Sequence, residues 1–161
     1  MTDGLILPEG FASWEEVMAL ALEQARQAGD RSEVPVGAVV IAPDGRVLGR
    51  AGNSVIASND PTAHAEIVAL RQAAKIRSNY RLPDVLLAVT LEPCLMCLGA
   101  IIQARVAGLI FGAADPKAGA VVSRLRGLEL DFLNHRLSCL GGVLAEPCSS
   151  LLSSFFQARR F

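Results

Sequence analysis

Aromatic side chains are scarce in this sequence, at 5% of 161 residues with one Trp and one Tyr. The interior must therefore be built from Ala, Val, Leu and Ile, which dominate a hydrophobic content of 52%. Charge is also sparse, at 19%, and with this much apolar material that excludes a disordered chain. No stretch of about 18 apolar residues runs free of charge, so no spanning helix and no membrane partner are expected. The opening MTDGLILPEGFASW has no basic start and only a short apolar run, Leu5-Ile6-Leu7, so it does not read as a secretory signal. Without an export signal, the four cysteines (Cys94, Cys97, Cys139 and Cys148) are not expected to form a disulfide framework. A reducing compartment, the cytoplasm, is the expectation, and the close Cys94–Cys97 pair then asks for a metal or redox role.

The length predicts one domain over 1–161, with 1–13 as a flexible or irregular extension. The net charge of −1 says little, but its distribution says more. Residues 1–66 hold four basic and ten acidic side chains; residues 67–161 hold eleven and six. The second half can therefore present a basic surface to phosphate, or simply carry solvated helix faces.

Elements of different type alternate along the chain. Ser13, followed by Glu15 and Glu16 and by apolar residues at helical spacing, predicts a helix over 14–28. Val34 to Ala42 and Val47 to Ala51 flank the turn Pro43-Asp44-Gly45 and predict a hairpin. Asp60 as cap and Pro61 as first helical residue predict a helix to about Arg77. The apolar runs 85–91 and 106–111 read as buried strands around a helix from Pro93 to about Ala104. Residues 112–137 read as a loop with a short helix, 137–144 as a weak fifth strand containing Gly141 and Gly142, and 149–160 as a last helix. Strands separated by helices imply parallel crossovers in part of the sheet, and so an α/β domain.

The chemistry concentrates in His64-Ala65-Glu66 and Pro93-Cys94-Leu95-Met96-Cys97. One imidazole and two thiolates from His64, Cys94 and Cys97 make three protein ligands, which describes a catalytic zinc site with one open position. Cys94 and Cys97, three apart at a helix start, place both sulfurs on one side. Glu66 lies roughly 200° around an ideal helix from His64. It is not needed as a ligand, but it can flank the metal and move a proton. A thioredoxin-type role for the cysteine pair would leave His64 and Glu66 without use.

With those residues in place the sequence resembles the zinc-dependent cytidine and adenosine deaminase superfamily, whose known signature is H-x-E…P-C-x-x-C. Within it, the sequence is similar to the bacterial tRNA-specific adenosine deaminases. The resemblance runs through VPVGAVV (34–40), NDPTAHAEIVALRQAA (59–74), NYRL (79–82), VTLEPCLMCLGAII (89–102), FGAADPKAGA (111–120), NHR (134–136) and SSFFQARR (153–160). It implies a three-layer α/β/α sandwich with a five-stranded mixed sheet. It also implies one zinc per subunit on His64, Cys94 and Cys97, and Glu66 as proton shuttle. Asn53 would bond the adenine ring and Ala65 would offer its backbone to the flipped base. Asp115 and Lys117 would lie beside the anticodon loop, with Phe156 and Arg160 against flanking nucleotides. The resemblance further implies a homodimer acting on tRNA. His135 is expected to brace a loop, and Cys139 and Cys148 to be small buried apolar groups. Two other readings stay open: a deaminase of free cytosine, guanine or a nucleoside, and a zinc-stabilised binding module without activity.

Overall fold

The computed structural model describes residues 3–160. Helix α1, Trp14–Asp30, begins where Ser13 Oγ accepts from Glu16 N–H at 3.2 Å, as the sequence predicts. Strands β1 (Gly37–Ile41) and β2 (Val47–Gly52) form the expected antiparallel hairpin, with a bulge between Val40 and Ile41. A single turn, α2 (Val55–Ser58), leads to α3 (Ala65–Arg77). Then come β3 (Leu86–Leu91), α4 (Leu95–Gln103), β4 (Gly108–Ala113), a 3-10 turn (Gly127–Glu129), β5 (Ser138–Leu140) and α5 (Ala145–Gln157).

The strands form one sheet in the order β2-β1-β3-β4-β5. The β2–β1 and β1–β3 pairs are antiparallel, whereas β3–β4 and β4–β5 are parallel. The sheet is thus the five-stranded mixed sheet of the resemblance. Its strands read as nearly continuous apolar runs because both faces are covered. Alternation sorts them into two cores. Ala38, Val40, Leu87, Val89, Leu109 and Phe111 face α3 and α4. Val39, Ile41, Leu86, Ala88 and Ile110 face α1 and α5. That is a three-layer α/β/α arrangement. Two glycines allow the layers to close. A Cβ on Gly37 would sit 2.0 Å from Ala21 O of α1, and one on Gly49 would sit 2.2 Å from Ala69 O of α3.

Several boundaries differ from expectation. The Asp60-Pro61 signal does not start α3. Asp60 Oδ1 instead accepts from Thr62 N–H and Thr62 Oγ1, at 2.8 and 2.7 Å, closing a local turn. The helix starts after His64, which is its N-cap. Likewise Pro93 lies outside α4, whose N-cap is Cys94. Helix α5 starts four residues earlier than predicted, with Leu144 in the left-handed region as N-cap and Pro147 in the first turn. The fifth strand is only three residues long.

Of the anticipated N-terminal extension, residues 1 and 2 lie outside the described residues. Residues 3–13 are irregular, with Leu5, Leu7 and Phe11 packed against the α1–α5 core. Ser138 Oγ donates to Asp3 O at 2.8 Å and Glu9 N–H donates to Pro43 O at 2.9 Å. No helix among the described residues is long and apolar enough to cross a membrane.

Candidate active site

The site is built where three chain segments meet beyond the ends of β2 and β3. His64 and Cys94 are the N-caps of α3 and α4, so each accepts the first helical bond on its own carbonyl: Val68 N–H donates to His64 O and Leu98 N–H to Cys94 O. Neither side chain caps its helix, which leaves both free for other chemistry. Cys97 follows in the first turn of α4 and is buried. Two positive helix ends therefore converge on one point, a setting that favours thiolates.

His64 Nδ1 lies 3.6 Å from Cys94 Sγ and 3.5 Å from Cys97 Sγ. Those separations can be compared with what a metal would need. Bond lengths of roughly 2.0 Å to nitrogen and 2.3 Å to sulfur at a tetrahedral angle place nitrogen and sulfur about 3.5 Å apart. The donor set therefore fits a tetrahedral ion, with Nδ1 as the imidazole donor. Among the described residues these three form the one cluster of His, Cys, Asp or Glu close enough to share an ion. Three protein donors leave one position for solvent or substrate.

Electrostatics agree with a shared charge. The Cys94 thiol is pulled down to about 4, chiefly by the hydrogen bond from Cys97, with His64 adding to the effect against burial. Cys97 is pushed strongly upward by the same bond, by burial and by the nearby Glu66 carboxylate. The bond to Cys94 raises His64 in turn. A metal ion would displace the protons these groups share. Glu66, in the first turn of α3, is 4% exposed, and burial pushes its carboxyl up to about 7.

The other expected residues divide into two groups. Asn53 and Ala65 come together: Asn53 Oδ1 accepts from Ala65 N–H at 2.9 Å, which ties the end of β2 to the first residue of α3. Among the described residues the Asn53 Nδ2 donors have no protein partner. Asp115 is occupied in its own turn, accepting from Lys117 N–H and Ala118 N–H at 2.9 and 3.2 Å. Lys117 is exposed at the tip of that turn. On α5, Phe155 is half-buried under the Arg159 guanidinium, 3.5 Å from its ring centroid, while Phe156 is 47% exposed. Arg160 is exposed beyond the helix end. His135 braces a loop, its Nε2 lying 2.7 Å from Val106 O. Burial raises the Cys139 and Cys148 thiols to about 12 and 11; Cys148 is buried as expected, whereas Cys139 is only half-buried.

Two buried acids escaped the sequence reading. Glu33 accepts from Ile56 N–H and Ala57 N–H, at 3.3 and 2.8 Å, and holds the segment after Asn53. Glu92, two residues before Cys94, gathers backbone N–H groups from a distant loop. Its one sequence signal is an acid inside an otherwise apolar stretch, VTLEPC.

A family model described as MafB19-like deaminase matches residues 12–160. The chain belongs to the MafB19-like deaminase family. This deaminase is 50% identical over 146 residues to the tRNA-specific adenosine deaminase of Haemophilus influenzae, covering 91% of this chain and 84% of that one. It is also similar to a solved structure from studies of A-to-I editing at the wobble position of transfer RNA, at 45% identity and a TM-score of 0.82. That match covers 85% of the deaminase and 99% of the solved chain. A more distant likeness is to guanine deaminase from Bacillus subtilis, at 38% identity and a TM-score of 0.60 over 63% of this chain and 65% of that one.

Proposed function

We propose that this deaminase hydrolyses adenosine to inosine at the wobble position of tRNA anticodons. The observation that carries the chemistry is His64 Nδ1 within 3.6 Å of both cysteine sulfurs, with the buried Glu66 alongside. The substrate assignment is supported by relatives of 50% and 45% identity that act on tRNA adenosine.

Zinc is the ion proposed for His64, Cys94 and Cys97, because one imidazole and two thiolates suit it. When bound, zinc would supply the Lewis acidity that makes water a nucleophile at neutral pH. The protein's part is proton movement and placement. Glu66 takes a proton from the attacking water as oxygen adds to C6 of adenine, and gives it to the ring nitrogen. It then takes the proton of the new C6 hydroxyl and passes it to the amine as the C6–N bond breaks, so that ammonia leaves and the C6 carbonyl of inosine remains. Asn53 and Ala65 act as a linked pair against the base: Asn53 holds the Ala65 amide and keeps its own Nδ2 donors for the purine. An anticodon loop base is already unpaired, so turning it into the site costs little.

Lys117 and Arg160 would meet phosphates, and Phe156 would stack on a flanking base, at exposed positions that fit those tasks. Asp115 would act through the turn that presents Lys117. The whole chain, 1–161, is proposed as one cytoplasmic deaminase domain that works as a homodimer.

The test is turnover of an anticodon stem-loop carrying adenosine at the wobble position, against free guanine, cytosine and adenosine. Inosine from the stem-loop alone is the expected result. Reaction of a free base without the stem-loop would replace this reading with a free-base deaminase, the direction in which the likeness to guanine deaminase points.

A further inference from the structure

Glu92 is 2% exposed and has no part in the proton chemistry above. It sits between the last residue of β3, Leu91, and Pro93, directly ahead of Cys94. A buried carboxylate is costly unless its lone pairs are filled, and here they are filled from one source. Glu92 Oε1 accepts from the N–H groups of Val121, Val122 and Ser123, at 3.1, 2.7 and 2.9 Å. Oε2 accepts from Asp115 N–H at 3.0 Å and from the Ser123 hydroxyl. All the donors belong to the loop 114–123. Main-chain bonds add to the hold: Glu92 N–H donates to Ala113 O at 2.8 Å and Ala120 N–H to Pro93 O at 2.9 Å. Gly119 is packed so closely that a Cβ there would lie 2.4 Å from the Glu92 carboxylate.

The loop has almost no apolar anchor of its own between Ala114 and Ala118, where four of five residues are exposed. Ala120 and Val121 anchor its far end in the core, so the shape of 114–118 depends on this carboxylate together with the Asp115 turn. The same backbone that orients Cys94 therefore also sets where Lys117 stands. We infer that Glu92 is a positioning residue: its carboxylate fixes the 114–123 loop against the metal-binding turn and so sets the surface that receives the nucleic acid. The role in substrate binding rests on the function proposed above; the clamp itself does not.

Three variants separate the possibilities. In Glu92→Gln the amide oxygen can keep the three N–H groups of Val121 to Ser123. The new NH2 then faces the Asp115 N–H, so that end of the loop is released. Ser123→Ala removes one donor and spares the carboxylate. Glu92→Ala leaves a space lined by donors that acetate can enter.

By hydrogen exchange on the metal-loaded protein, the Asp115 amide should exchange at least about tenfold faster in Glu92→Gln, with a smaller effect in Ser123→Ala. For the anticodon stem-loop, KM should rise by about tenfold in Glu92→Gln while kcat and metal content hold. Added acetate should lower the KM of Glu92→Ala and leave that of the wild type alone. Unchanged exchange at Asp115 overturns the clamp. A fall in kcat and metal content at constant KM overturns the positioning role and makes Glu92 a support of the metal turn. If the wild type fails to deaminate the stem-loop, the proposed function fails, while hydrogen exchange still decides the clamp.

Discussion

At the scale of single residues, the proposed function separates holding from moving. His64, Cys94 and Cys97 are spaced to hold a cation, whereas Glu66 lies beside them without joining the cluster. Its burial means that a carboxylate is kept dry beside the imidazole and the two thiols, a costly arrangement unless it is used. Glu66→Gln keeps the shape and removes the proton carrier. Turnover should fall by about 10²–10⁴-fold, the usual range for a general acid–base group. Metal content and melting temperature should stay as in the wild type. A variant with wild-type kcat would remove Glu66 from the chemistry.

At the scale of elements, the positions of the three clustered donors follow from where α3 and α4 begin. The hairpin, the buried strands and the helices at 14–28 and 93–104 were all legible, because continuous apolar runs bounded by turn residues and apolar residues at helical spacing carry them. The gathering of His64, Cys94 and Cys97 was legible too, since they stand in two short motifs at fixed spacing. The starts of α3, α4 and α5 were not. Asp60-Pro61 is as good a local cap signal as any in the chain, yet tertiary packing uses it as a turn and gives the cap to His64. The Asn53–Ala65 bond and the Glu33 and Glu92 clamps were hidden for a related reason. Each joins residues 12 to 31 positions apart, and no local pattern records such a pairing.

The close approach of α1 to β1 belongs to this scale as well. A methyl on Gly37 would strike the α1 backbone at Ala21 and Ala25. Gly37→Ala should cost about 1–3 kcal/mol, because helix and strand must part to admit it. Denaturant unfolding checks this, and an unchanged midpoint would show that the layers are looser than the geometry implies.

At the scale of the whole molecule, the questions are charge and the proposed assembly. The first 66 residues are acidic on balance and the remainder basic, and Lys117 and Arg160 belong to the basic stretch of the sequence. A homodimer would let two such surfaces bind one stem-loop. Sedimentation equilibrium should give about twice the chain mass of 17.0 kDa, and 17.0 kDa at micromolar concentration would contradict the dimer. The most direct measurement is sequencing of cellular tRNA after depletion of this protein. Inosine reads as guanosine, so the first anticodon position should shift from guanosine to adenosine on depletion. The wild-type gene should reverse the shift, and Glu66→Gln should not. A wobble position that still reads as guanosine in depleted cells would contradict the assignment.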